Sequence, residues 1–208
     1  MASIAESIGA ADAPLEVLYL VALHFIDQAS ALLKTVNEEQ LTATSRLSPG
    51  SSIGKHLRHI VDHYTPLLDA LEASSLPSSP STSPTSHPTL RVNYDRRTRN
   101  GAAETSLTAA RAQFETLRMR LARCTGEGKG VDPERAVRLE AVTPVKVEVG
   151  TTVARELWFS SFHAVHHFAL IRVIACGELD LTVPDDFGVA PATLKHRESE
   201  AAPTSPKL

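Results

Sequence analysis

Only two cysteines, Cys124 and Cys176, stand in 208 residues. They form no CxxC pair and no disulfide framework, which excludes thiolate zinc modules and stapled secreted scaffolds. A reduced intracellular setting is the expectation, one bond between the two being the single exception. Aromatic residues are scarce at 5%, with one tryptophan. No charge sign dominates, since 21 Lys and Arg against 24 Asp and Glu leave −3. Nothing in that balance attracts a polyanion, so no nucleic-acid partner is expected. The longest unbroken apolar run, Val17–Leu23, falls far short of the roughly 20 residues that span a bilayer, so no membrane partner is expected either. The opening MASIAESIGAADAPLEV lacks a basic segment followed by an apolar one and reads poorly as a signal peptide. A soluble, cytoplasmic protein is the default.

The chain does contain ordinary globular material and an excess of histidine. Hydrophobic residues make up 42% and charged residues 22%, enough for one sizeable core. Apolar residues recur at helical spacing from Pro14 to about Val36. Residues 37–50 end in Ser-Pro-Gly, a loop signal. Ser51 or Ser52 then offers an N-cap for a second helix to about Ala73, in which Pro66 predicts a kink or break. Residues 74–89 are a Ser/Pro-rich insertion that cannot bury a core. The segment RVNYDRRTRNG reads as an irregular loop, and Glu104 to about Cys124 as a third helix. Residues 136–149 alternate like a short hairpin broken at Thr143-Pro144. A fourth helix runs from Thr151 to about Cys176, with Gly177 as its stop. The segment DDFGVAPATLKH packs back as a loop, and the chain is loose before residue 14 and after about Arg197. Four amphipathic helices predict an all-α four-helix bundle over residues 14–195, with a short β-hairpin as accessory.

Nine histidines are the compositional oddity, and six fall in two segments. SIGKHLRHIVDHY carries His56, His59 and His63, which lie within about 60° of one another on a helical wheel. Ile53, Leu57, Ile60, Tyr64 and Leu67 form the adjoining apolar face, so the strip borders the core. RELWFSSFHAVHHFALIRVIA carries His163, His166 and His167. His163 and His167 are four apart, the spacing at which two imidazoles on one helix chelate one ion. Glu156 falls on the same side two turns earlier, as a fourth ligand or an orienting group. A lone helical histidine is usually a surface or hydrogen-bonded residue, but two strips bordering apolar faces predict one shared metal site inside the bundle. Spacing alone leaves His56, His59 and His63 open as the first ligand. HAVHH is not HExxH, because Ala164 replaces the peptidase glutamate, and the Glu-x-x-His pairs of di-iron bundles are absent from both segments.

A histidine in the second helix followed by HxxxH in the last long helix resembles the DinB-like superfamily, four-helix bundles with a three-histidine metal centre. SIGKHLRHIVDHY resembles the first-ligand segment and FHAVHHFAL the second. YDRRTRN and DDFGVAPATL resemble a bacterial and fungal subgroup. The resemblance implies that His59, His163 and His167 are the ligands. The wheel does not favour His59, which lies farther from the apolar face than His56 or His63. His166, to the side of the pair, is assigned a structural or supporting place. Three imidazoles leave open positions on the ion, as in catalytic sites, and suit zinc, nickel, iron or manganese alike. The resemblance also implies a metal-dependent enzyme of the transferase, isomerase or hydrolase kind, acting on a small molecule, with a thiol as cosubstrate in some relatives. Homodimers are expected for such bundles.

Further residues are candidates with plainer alternatives. Tyr94, Arg96 and Arg97 sit in one loop, with Arg99 nearby, and an arginine there would meet an anionic substrate group by paired hydrogen bonds; a solvated loop is the plainer reading. Arg155 is read as a surface salt bridge, Trp158 as packing, and Asp62 as a solvated helix position. Two other functions compete: a non-catalytic stress-response or binding module with a structural metal, which predicts a closed coordination shell, and a helical interaction protein whose histidines are incidental. The absence of a cysteine ligand from both segments favours the enzyme.

Overall fold

A computed structural model of the chain describes residues 14–74, 89–95, 101–124 and 131–201. Four long helices pack in a closed ring. They are α1 (Pro14–Thr35), α3 (Ile53–Ser74), α4 (Leu107–Ala122) and α5 (Val153–Glu178). Each of α1 and α3 packs against both α4 and α5. The core between them includes Ile26, Leu33, Ile60, Tyr64, Phe114, Leu121, Phe168 and Ile171, all buried. The expected four-helix bundle is therefore the architecture. By length and composition Glu16–Thr35 and Val153–Glu178 would suffice to cross a membrane, but here their apolar faces pack on the other helices.

Several boundaries differ from the sequence reading. Residues 37–50 contain a short helix, α2 (Glu38–Thr42), started by a capping box. The Asn37 side-chain oxygen accepts from the Gln40 amide and the Gln40 side chain accepts from the Asn37 amide. Helix α3 runs unbroken through Pro66. A proline inside a helix costs about 3 kcal/mol, but Tyr64, Leu67, Leu68 and Leu71 around it are all buried, and each such burial returns about 1.5–3 kcal/mol. Core packing outweighs the missing hydrogen bond. A 3₁₀ turn, Ala102–Glu104, precedes α4, which starts at Leu107 under a Ser106 cap. Helix α5 passes Gly177 and ends at Glu178, whose carboxylate accepts from the backbone amides of Arg46 and Leu47. The chain after Arg197 is not loose throughout, because α6 (Pro191–Ala201) includes it. Val183 and Phe187 ahead of α6 are buried, with Phe187 against Phe168.

The hairpin is larger than expected. Strands β2 (Ala136–Ala141) and β3 (Val147–Thr152) pair antiparallel, and β1 (Leu90–Val92) adds to β2 in parallel. Leu90, Val92 and Val137 bury one face of this sheet, and β1 packs on α3. Asp95, just past β1, accepts hydrogen bonds from the backbone amides of Val142 and Thr143 and from the Thr143 hydroxyl, tying the hairpin turn down. Strand β3 passes into α5 with no loop: Thr152 ends the strand and its hydroxyl accepts from the Arg155 amide. The amides of Val153 and Ala154 donate to the carbonyls of Arg135 and Pro133. Two N-terminal donors of α5 are thus satisfied by the segment that leads into β2.

At its start α3 approaches the rest of the bundle closely. A Cβ on Gly54 would lie 2.4 Å from the Glu104 carbonyl oxygen and 3.2 Å from that of Leu41. Beside this contact Arg58 bridges the carboxylates of Glu104 and Asp62, so Asp62 is ion-paired rather than simply solvated.

Candidate metal centre

The histidine strips of α3 and α5 face each other across the most extensively packed helix pair of the bundle. Of the serines before α3, Ser52 accepts from the Lys55 amide and caps the helix, while the Ser51 hydroxyl lies 2.8 Å from His56 Nε2. Between the helices, Tyr64 donates to Ser161 and the Ser160 hydroxyl donates to the His63 carbonyl. These bonds fix the rotation of α3 against α5.

His59, His63 and His163 each bring a ligand nitrogen within 4.8 Å of the others, a group that can hold a metal ion. His167 joins them. His163 Nε2 lies 3.0 Å from His59 Nε2 and 3.0 Å from His167 Nε2. His59 is half-buried while His56 and His63 are buried, as the wheel indicates, yet it is His59 whose ring edge reaches His163. His63 meets His163 face on, with ring centroids 3.9 Å apart and planes 29° apart. Its Nδ1 donates to the His59 carbonyl at 3.1 Å, which leaves Nε2 as the unprotonated nitrogen of the neutral ring. His56 Nδ1 sits 2.8 Å from His167 Nδ1. His166 is exposed, its ring 5.2 Å from that of His167.

The donor set fits a divalent ion. An imidazole nitrogen has one in-plane direction for a proton or a lone pair, so His163 Nε2 cannot bond both neighbours well. Imidazoles that hold one cation at about 2.0–2.1 Å have adjacent nitrogens about 3 Å apart, the separation of His163 Nε2 from His59 Nε2 and from His167 Nε2. Protons compete weakly for this position. Burial, then the neighbouring imidazoles His59 and His163, push the His167 pKa down to about 2. Burial also lowers that of His56, followed by the charge of His166.

Glu156 is buried but engaged elsewhere. Its two oxygens accept from the Tyr94 hydroxyl and the Thr151 hydroxyl, each at 2.8 Å. The Tyr94 ring stacks on His63, 5.2 Å between centroids and 9° between planes, so Glu156 supports the site through Tyr94. The hydroxyl pKa of Tyr94 is raised by burial and then by the Glu156 charge. Arg96, Arg97 and Arg99 lie outside the described residues. Trp158, expected to pack, is 43% exposed and leans on Phe162, also exposed; that side of α5 faces away from the ring.

Sequence reasoning missed Phe159, whose ring stacks on His163 at 5.6 Å and lies 6.0 Å from both His63 and Tyr94. Arg155 forms the expected surface salt bridge, with Glu156 at 3.8 Å, and its guanidinium also lies over Phe159 at 5.1 Å. An aromatic four residues before a ligand histidine was the available signal. A groove of about 490 Å³ along α3 and the sheet is lined by Asp62, Pro66, Asp69, Arg91 and Asn93 among others; Asp62 and Asn93 are the chain neighbours of His63 and Tyr94.

The family model of the DinB superfamily matches residues 25–171. FK506-binding protein 5 of Rhizopus delemar is 33% identical over 105 residues, which is 50% of this chain and 27% of that protein. The chain therefore spans well under two thirds of that relative. No solved structure matches.

Proposed function

Because the chain belongs to the DinB superfamily, we propose that it is a metal-dependent enzyme acting on a small molecule, with one divalent ion held by His59, His163 and His167. The observation that carries this reading is the pair of 3.0 Å Nε2 contacts converging on His163. His59 and His167 stand edge-on to that ring, at 63° and 72° between planes. His63 stacks on His163 with planes 29° apart and is read here as a wall, although its nitrogen lies within 4.8 Å of those of His59 and His163. When bound, the ion supplies Lewis acidity toward a substrate oxygen or the sulfur of a thiol cosubstrate. Transferase or isomerase chemistry with such a thiol is the specific form proposed.

The chain's own residues do the rest. Tyr94, His63 and Phe159 form an aromatic side that excludes water from the ligand nitrogens. Glu156 and Thr151 hold Tyr94 in place. Arg155 offers an exposed positive charge above Phe159 for an anionic substrate group. A structural metal is less well supported, since both oxygens of Glu156 are occupied and it does not close the shell.

The test is metal content by mass spectrometry on untagged protein. About one ion per chain is expected, lost in His59→Ala, His163→Ala and His167→Ala but retained in His63→Ala. Loss in His63→Ala with retention in His167→Ala would transfer the third ligand to His63. No metal bound, and none taken up from zinc, nickel, iron or manganese, would end the proposal.

A further inference from the structure

The side of the ligand set that faces away from the ion carries its own ordered chain of donors and acceptors. Ser51 Oγ lies 2.8 Å from His56 Nε2, and His56 Nδ1 lies 2.8 Å from His167 Nδ1. Both rings are buried, at 7% and 9% exposure. Ser51 is itself pinned: its amide donates to the Ser48 carbonyl and its carbonyl accepts from the Ser45 amide. The neighbouring Ser52 does the helix capping, which leaves the Ser51 side chain to serve His56.

We infer that His56 is a positioning residue, which holds His167 in the one tautomer and ring orientation that can bind metal and is held in turn by Ser51. The inference rests on the ligand set proposed above. A neutral His167 that ligates through Nε2 carries its proton on Nδ1. That N–H must donate, and the acceptor 2.8 Å away is His56 Nδ1. His56 Nδ1 must then be bare, so the His56 proton sits on Nε2 and donates to the Ser51 hydroxyl. Each link has a single sense. Reversing it would put the His167 proton on Nε2, facing His163 Nε2 at 3.0 Å, and would block the ligand position.

Ligating histidines commonly donate to a carboxylate, a backbone carbonyl or water. Here the acceptor is a neutral ring. It fixes geometry without adding negative charge, so an ion held by three neutral imidazoles keeps its full charge toward a substrate. By spacing alone His56 is an alternative ligand. The geometry assigns it instead to the far side of His167.

The experiment measures Co(II) and Zn(II) affinity of the untagged full chain by chelator competition, together with the visible spectrum of the Co(II) form. His56→Leu removes the acceptor. His56→Asn places a carbonyl oxygen near the position of Nδ1. The expected result is a loss of about 10–100-fold in affinity and an altered Co(II) spectrum for His56→Leu, substantial recovery for His56→Asn, and a smaller loss for Ser51→Ala. Folded His56→Leu protein with wild-type affinity and spectrum would overturn the inference, as would equal defects in the Leu and Asn variants. If His56→Leu does not fold, long-range proton–nitrogen NMR of the zinc-loaded wild type decides. The inference requires protons on His167 Nδ1 and His56 Nε2, and the opposite pattern refutes it. Failure of the wild type to bind either metal would instead refute the underlying site, a separate outcome that takes this inference with it.

Discussion

Gly54→Ala sets two known effects against each other. Alanine is favoured over glycine by about 1 kcal/mol in a helix interior and by at most that at Gly54, the second residue of α3, so propensity alone predicts a more stable protein. The packing predicts the reverse. The new Cβ would sit 2.4 Å from the Glu104 carbonyl oxygen, where real contacts stay above 3.0 Å. The gap must therefore open by about 0.6 Å, the difference between those two distances. The obstacle is backbone and cannot rotate away. Overpacking of this kind costs about 1–3 kcal/mol; the middle of that range, about 2 kcal/mol, less the propensity gain of about 1 kcal/mol, leaves a net loss of about 1 kcal/mol, or roughly 2–4 °C in Tm for a chain of this size. Gly150 on β3 is the control, since a Cβ there meets nothing within 4 Å; Gly150→Ala should leave Tm level or slightly raised. Thermal melts followed by circular dichroism read both. The consequence should also reach the metal, because α3 carries His59 and moves as a unit, so zinc affinity should weaken in Gly54→Ala alone. A Gly54→Ala protein that melts at or above the wild-type temperature would refute the reasoning and the close approach on which it rests.

The site itself supports two more expectations. Tyr94→Phe keeps the ring stacked on His63 but leaves a buried oxygen of Glu156 without its donor; stability should fall by about 1–2 kcal/mol with metal content unchanged, and an unaltered Tm would show that the bond contributes nothing. Acid should destabilise the metal-free protein. His56 and His167 have pKa values lowered in the fold, whereas in the unfolded chain they take up protons near pH 6.5. Their contribution is complete above that pH and declines as pH falls, by about 1.4 kcal/mol per unit for each ring that stays neutral; chemical denaturation at about pH 7.5 and about pH 5.5, in wild type and in His167→Gln, should show the slope reduced in the variant.

The four long helices were legible because each carries an apolar stripe that repeats at helical spacing, and the HxxxH pair was legible because four residues is one turn. Local signals also narrowed the cap to Ser51 or Ser52, of which Ser52 serves, and placed the hairpin at Thr143-Pro144. Strand β1 was not legible: three residues, Leu90–Val92, make no periodic pattern, and they are a strand only because β2 pairs with them from more than forty positions away. Pro66 does not break α3; the local rule for proline carries no term for the leucines around it. The end of α5 was misplaced because Glu178 is held by amides from the distant loop at Arg46. At the site, a helical wheel gives the direction of a side chain but not which ring nitrogen it presents. It therefore ranked His59 behind its neighbours and could not see that His56 Nδ1 meets His167 Nδ1 while His167 Nε2 faces His163.

The passage of β3 into α5 without a loop has a consequence for how this chain can vary. Thr152 is paired with Ala136 on one side and starts the helix on the other, so the strand indexes the helix much as a keyed shaft indexes a gear. There is no slack between the key and the histidines. One residue inserted or deleted between Thr152 and His163 would turn everything beyond it by about 100° and carry His163 and His167 out of the ring interior. The same change between Val142 and Lys146, at the far end of the hairpin, would leave the phase untouched. Length is thus constrained from Thr152 to His163 independently of which amino acids fill the positions between.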